Sequence, residues 1–187
     1  MLDELRKNMK SILSDRRYQH SLGVEQVSYD LALIHGEDVL KASIAGILHD
    51  CAKYLTDEEL LQECDNNHIE ITEIERKLPN MLLHAKVGAV YAKKKYKIAD
   101  ESIIKAIEYH TTGRPAMTKL EKIIFIADYI EPNRIMIPNI DYIREVAYEN
   151  LDEALKISLK QTLEYLEGKG QLICPKTKET YDYYVNQ

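Results

Sequence analysis

Apolar residues recur every three or four positions along nearly the whole chain, which is the period of an α-helix with one buried face. The first such segment covers residues 2–13. The second runs from about Arg16 to His35, where Gly36 can adopt the left-handed conformation that ends a helix. No segment alternates apolar and polar positions as a half-buried β-strand does. The pattern therefore predicts an all-α protein.

Residues that cap helices divide the rest of the chain into elements. Thr-x-x-Glu capping boxes predict helix starts at Thr56, Thr72 and Thr118. Other predicted starts are Asp38, Asn80 or Met81, Asp100, Asp141 and Asp152. Gly168 and Gly170 break the chain, and residues 172–175 indicate an extended segment before a short tail. Without repeats or linkers, residues 1–187 are expected to form a single domain, a helical bundle with a C-terminal extended segment from about residue 170.

Composition narrows the class of protein. With 187 residues, of which 45% are hydrophobic and 30% charged, the chain can bury its own core. A formal net charge of −6 argues against a general affinity for nucleic acid. No apolar run approaches the roughly 20 residues of a membrane span, and the N-terminus lacks the core of a signal peptide. The three cysteines have no C-x-x-C spacing, so we expect reduced thiols in a cytoplasmic protein.

One acidic residue stands inside an apolar stretch. Asp128 lies in the segment from Ile123 to Ile130, where its neighbours are nearly all hydrophobic. Burying a carboxylate without a partner costs several kcal/mol or forces its protonation. Asp128 must therefore be paired, hydrogen-bonded or bound to a metal ion.

Candidate partners of the right chemistry occur elsewhere in the chain. On or at the edge of apolar helical segments stand His20, His49, Asp50, His84 and His110. One histidine on such a face is more often a core residue with a single hydrogen bond than a ligand. The order H…HD…H…H…D, ending at Asp128 in one helical domain, instead predicts a metal site assembled from separate helices. His35, before a helix-ending glycine, and His68, in a polar stretch, are left outside it.

The residue types suggest the chemistry of this site. Imidazole nitrogens with carboxylate oxygens suit a divalent transition metal such as Fe, Mn, Co, Ni or Zn, and poorly suit Ca or Cu(I). Two histidines and two aspartates leave coordination positions open, which is typical of a catalytic site that activates water. A carboxylate beside the ion, such as Asp50, could orient or deprotonate that water.

A polyphosphate substrate with about four negative charges would need cations beyond the metal ion. The candidates are Lys53, Arg114, Arg134 and protonated His84 or His110. Arg134 is the strongest of them, because it lies in the loop between Pro132 and Pro138 directly after Asp128. Lys53 and Arg114 are equally well explained as solvated surface residues.

Local sequence around these residues resembles a known family. The series His20, His49-Asp50, His84, His110, Asp128 is similar to that of HD-domain metal-dependent phosphohydrolases. The blocks GILHDCAK (residues 46–53), YHTTG (109–113) and ADYIEPNR (127–134) resemble the YqeK family of symmetrical diadenosine tetraphosphate hydrolases. The resemblance covers nearly the whole chain, including LDEA at 151–154 and ICPKT at 173–177.

The resemblance implies an HD-domain helical bundle that cleaves diadenosine tetraphosphate into two ADP. It implies that an iron-like ion is held by His20, His49, Asp50 and Asp128. It implies catalytic roles for Asp50, His84 and His110. The nucleotide would be contacted by His20, Asp50, His84, His110, Thr111, Asp128 and Arg134, with Gln171, Leu172, Ile173, Cys174 and Pro175 against the nucleoside. A homodimer is compatible with it.

Four alternatives remain open from the residues. His84 and His110 could hold a second metal ion. The substrate could be a nucleoside monophosphate, a cyclic dinucleotide or a guanosine polyphosphate, because metal ligands do not specify a base. The chain could instead sense nucleotides without turnover, or carry a purely structural metal ion.

Overall fold

The computed structural model describes residues 1–186, which form eleven α-helices and no β-strand. The helices are α1 (Leu2–Ile12), α2 (Asp15–His35), α3 (Val39–Leu48), α4 (Asp57–Asn66), α5 (Glu73–Lys77), α6 (Pro79–Lys94), α7 (Glu101–Glu108), α8 (Lys119–Ile130), α9 (Ile140–Glu149), α10 (Leu151–Gly168) and α11 (Pro175–Val185). The all-α prediction is confirmed. Within these residues, no helix has both the length and the apolar character that crossing a membrane requires.

The predicted helix starts follow the local capping chemistry. At Thr56, Thr72 and Thr118 both halves of the capping box are formed, with the threonine side chain accepting from the third helical residue. Asp38 accepts from two backbone N–H groups at the start of α3. Gly36 ends α2 with φ of 65° in the left-handed region.

Three boundaries differ from the prediction. Helix α6 begins at Pro79 rather than at Asn80 or Met81, because the proline ring presets the dihedral of a first helical residue. Helices α9 and α10 are preceded by Asn139 and Asn150 rather than starting at the following aspartates. Asn150 accepts from two backbone N–H groups of the first turn, which satisfies donors that a helix start leaves free.

The predicted extended segment from about residue 170 is wrong over most of its length. Residues 171–174 have no regular structure, but α11 follows from Pro175. Its buried face is formed by Thr177, Thr180 and Tyr184, and the Tyr184 hydroxyl accepts from the backbone N–H of Met117 at 2.7 Å. A helix whose buried face contains two threonines gives almost no hydrophobic pattern to detect.

Helix α2 is the central element, because it packs against α3 and α8 most extensively and also against α1 and α9. The close crossing with α3 depends on Gly46. A Cβ atom there would lie 2.8 Å from the Cα of Glu25 and 3.0 Å from Ser28 Oγ on α2. This approach brings the end of α3, and with it His49 and Asp50, against the face of α2 that carries His20.

We expect Gly46→Ala to lower the free energy of unfolding by about 1–3 kcal/mol, because the added methyl group meets backbone that cannot move aside. Urea unfolding followed by circular dichroism measures the change. Gly168→Ala is the matched control: that glycine ends α10 with nothing within 4 Å of the added Cβ, so stability should stay the same or rise slightly. Equal stability of the two variants would contradict the proposed close crossing.

Candidate metal centre

Six residues from five parts of the chain converge at the centre of the domain. They are His20 on α2, His49 and Asp50 directly after α3, His84 on α6, His110 just after α7 and Asp128 on α8. The four histidines and Asp50 are buried, whereas the side chain of Asp128 keeps 21% of its surface exposed. The structure thus brings together every residue of the H…HD…H…H…D series.

The four imidazole rings are held in the same way, each through its Nδ1 atom. In each ring, Nδ1 lies within hydrogen-bond distance of an acceptor outside the cluster, so the N–H is donated there and Nε2 is directed inward. The pairs are His20 with Glu131 Oε1 at 3.0 Å, His49 with the Gly46 carbonyl at 2.7 Å, His84 with the Asn80 carbonyl at 2.8 Å, and His110 with the Ile107 carbonyl at 2.7 Å. Histidines that bind metal ions are usually held in this way.

The inward nitrogens meet in two pairs. His20 Nε2 lies 3.2 Å from His49 Nε2, and His84 Nε2 lies 3.1 Å from His110 Nε2. Two unprotonated nitrogens repel each other at this distance unless a proton or a cation lies between them. The separation is the one expected for two nitrogens bound about 2.1 Å from the same ion. The donor set therefore fits a divalent transition metal.

Asp50 lies between the two histidine pairs. Its Oδ2 is 3.4 Å from His49 Nε2 and 3.7 Å from His20 Nε2, and its Oδ1 is 3.3 Å from His84 Nε2. Burial raises the pKa of Asp50, but attraction to His49 and the nearby imidazoles of His110 and His84 outweigh it. The pKa is held well below its usual range, and the carboxylate stays charged.

His20 is surrounded by carboxylates. Its Nε2 lies 3.1 Å from Asp128 Oδ1, while Nδ1 faces Glu131. Burial lowers the pKa of His20, but the hydrogen bonds with Asp128 and Glu131 outweigh this effect and raise the pKa to about 9. A metal ion needs the unprotonated nitrogen, so binding at Nε2 must displace a proton.

The cations predicted around the site separate into two groups. Arg134 donates to Asp128 Oδ1 at 2.8 Å, and Lys53 lies 3.2 Å from His84 Nδ1 while donating to the Asn80 carbonyl at 2.7 Å. Arg114 is committed elsewhere, because it pairs with Glu121 of the α8 capping box at 2.9 Å. Burial lowers the pKa of His84 to about 4, so His84 is neutral near pH 7 and carries no positive charge of its own.

The C-terminal segment is attached to the turn that follows His110. The Thr180 hydroxyl of α11 donates to the Thr112 carbonyl at 3.1 Å, and Gly113 has φ of 63° where a Cβ would lie 2.7 Å from Thr180. Thr111 is half-buried in this turn. Residues 171–174 lead directly into α11, so this contact fixes where they end.

Two residues at the site were missed from the sequence. Arg17 donates to Asp50 Oδ2 at 2.7 Å, and Glu131 holds His20 as described. A positional signal existed for both. Arg17 precedes His20 by three residues and Glu131 follows Asp128 by three, so each shares a helix face with a predicted ligand.

The part of the chain that carries these residues matches a known protein family. The HD domain matches residues 17–133, which include all six clustered residues and both missed ones. The chain belongs to the HD-domain family, whose members are metal-dependent phosphohydrolases.

Similar proteins indicate which branch of the HD-domain family this chain resembles. The chain is 41% identical over 178 residues to the symmetrical bis(5'-nucleosyl)-tetraphosphatase of Bacillus subtilis, covering 95% of this chain and 94% of that one. It is 42% identical to the enzyme of the same name from Halalkalibacterium halodurans, covering 93% and 91%. A crystal structure from Clostridium acetobutylicum, described as a predicted HD superfamily hydrolase involved in NAD metabolism, matches with a TM-score of 0.95 at 41% identity, covering 100% and 97%.

We expect Glu131→Gln to weaken metal binding about 10- to 100-fold, because the charged acceptor that orients His20 is lost while the side chain keeps its shape. Equilibrium dialysis with elemental analysis measures the affinity. Glu75→Gln, at a buried glutamate in the capping box of α5, serves as the control and should leave metal affinity unchanged. Equal affinities in the two variants would contradict the orienting role of Glu131.

Proposed function

We propose that this protein hydrolyses diadenosine tetraphosphate symmetrically to two ADP. The observation that carries the proposal is the buried cluster of four imidazoles and two carboxylates whose coordinating atoms converge. The near full-length similarity to two symmetrical tetraphosphatases supports the choice of substrate. Unpaired cysteines fit the cytoplasm, where we expect the reaction.

His20, His49, Asp50 and Asp128 are the proposed metal ligands, with an iron ion favoured over Mn, Co, Ni or Zn by the family resemblance. A bound divalent ion would lower the pKa of a water molecule and polarise a phosphoryl oxygen. Two hard oxygens and two nitrogens suit this set of ions. Asp50, held in the charged form, is the residue proposed to orient or deprotonate the attacking water.

His84 and His110 are the proposed contacts to the phosphates. Their Nε2 atoms are 3.1 Å apart, so a proton shared between these two atoms could be donated to a phosphate oxygen. An adjacent phosphate favours the charged imidazolium, which offsets the burial that lowers the pKa of His84. This proton is available to the departing group.

One ADP half is proposed to lie along Arg134, the turn with His110 and Thr111, and the segment Gln171–Pro175. The supporting contacts are those of Arg134 with Asp128, a proposed metal ligand, and of α11 with the carbonyl of Thr112, two residues after His110. Arg134 is well suited to this role, since its planar guanidinium can bind a phosphate through two parallel hydrogen bonds.

We expect His84→Ala and His110→Ala to retain one metal equivalent per chain and lose most of the turnover rate, by about 10²–10⁴-fold. Both residues are proposed to contact phosphate rather than the ion. Metal analysis and steady-state kinetics measure the two quantities. His35→Ala, whose ring only contacts the Ala147 carbonyl at 2.8 Å, is the control and should keep its activity. Loss of a second metal equivalent would establish a two-metal site instead.

We expect each molecule of diadenosine tetraphosphate hydrolysed in oxygen-18 water to give two ADP molecules, one of which carries the label. The held half places its second phosphate over the cluster, water attacks that phosphorus in line, and the other ADP leaves. Chromatography with mass spectrometry identifies the products. ATP and AMP as primary products would refute this placement. Faster phosphate release from nucleoside monophosphates or guanosine polyphosphates would favour another HD-family substrate.

A further inference from the structure

A third cation reaches the cluster from the start of α2. Arg17 Nη1 donates to Asp50 Oδ2 at 2.7 Å, and the Arg17 side chain keeps 36% of its surface exposed while Asp50 keeps 3%. A guanidinium has five N–H donors, and this hydrogen bond uses one of them. Arg17 therefore contacts the metal centre through one donor, while about a third of its side chain stays exposed.

The position of Arg17 is not explained by helix stability. It lies in the first turn of α2, at the positive end of the helix dipole, where a cation is disfavoured. Arg16 beside it is exposed, whereas Arg17 shares the face of His20 and is directed inward. A partly exposed cation that is kept at an unfavourable helix end and touches the metal centre suits the binding of an anionic ligand.

Metal binding would loosen the existing ion pair. Asp50 Oδ2 is the oxygen that faces His49 and His20, so it is the one placed to bind the ion. A divalent cation on that oxygen weakens its attraction for the guanidinium and repels it. The ion and its four proposed ligands together would carry almost no net charge, since two carboxylates balance a divalent ion. The charge of the tetraphosphate must then be met by cations around the rim.

Arg17 and Arg134 approach the cluster through different carboxylates. Arg134 pairs with Asp128, on the element proposed to hold one ADP half, whereas Arg17 pairs with Asp50. Arg17 also belongs to α2, which packs on α1, α3, α8 and α9, while α11 packs on α10. We propose that Arg17, on the Asp50 side of the cluster, binds the phosphates of the departing ADP half, while Arg134 on the Asp128 side holds the other half. This inference rests on the proposed symmetrical hydrolysis.

The test compares Arg17→Ala and Arg17→Lys with Arg16→Ala as the matched control, all in the metal-loaded protein. Wild-type protein is assayed first, and failure to form ADP from diadenosine tetraphosphate would refute the proposed function whatever Arg17 does. Four quantities are then measured for each variant: metal content, affinity for ADP by calorimetry, KM and kcat.

We expect Arg17→Ala to raise KM for diadenosine tetraphosphate about ten- to hundredfold, with metal content and ADP affinity unchanged. Arg17→Lys should fall between Arg17→Ala and wild type, because lysine keeps the charge without the forked geometry. Arg16→Ala should match wild type. Loss of metal would overturn the proposal by showing that Arg17 only orients Asp50. A parallel loss of ADP affinity would assign it to the retained half, and an unchanged KM would remove it from the site.

Discussion

The charge on the buried carboxylate of Asp50 is the constraint on which the rest of the structure depends. A carboxylate buried as deeply as this one is stable only where several groups compensate for its lost hydration. Here the compensation comes from imidazoles on α2, on α6 and at the ends of α3 and α7, together with an arginine from the first turn of α2. The relative positions of four helices are thus tied to one side chain. Removing any partner would leave part of that charge unpaired in a low-dielectric interior, where the cost is high.

Helix ends supply much of the precision of the site. His49 and His110 each follow a short helix and donate Nδ1–H to the carbonyl three residues earlier. Carbonyls in the last turn of a helix lack an intrahelical partner. A histidine that donates to such a carbonyl satisfies it, and the same hydrogen bond fixes the tautomer of the histidine. His20 sits mid-helix, where the carbonyls are already used, and its orientation depends on Glu131 instead. Glu131 in turn receives hydrogen bonds from the backbone and side chain of Asn133. Gly23 makes room for it, because a Cβ there would lie 2.6 Å from Glu131 Oε2.

The parts that sequence predicted well are those governed by short-range rules. Capping boxes depend on residues three apart, and the three at Thr56, Thr72 and Thr118 all formed. The H…HD…H…H…D series was found because polar residues on apolar faces are conspicuous. Interactions between distant parts of the chain were not predictable in this way. The commitment of Arg114 to Glu121, the neutral state of His84 and the threonine-lined face of α11 all depend on burial that only the folded chain defines. The spacing of Arg17 from His20 was a weak signal, and only the contact with Asp50 in the folded chain assigns Arg17 to the site.

The span of the cluster along the chain has a consequence for the protein in the cell. Its donors extend from residue 20 to residue 128 and exist as a set only in the folded state. An ion that binds them therefore favours folding by mass action, adding about 4 kcal/mol when its free concentration is a thousand times its dissociation constant. That amount is a large share of the stability of an ordinary domain. The abundance of this protein should consequently follow the supply of its metal, since chains made during scarcity unfold more often and are more exposed to proteolysis.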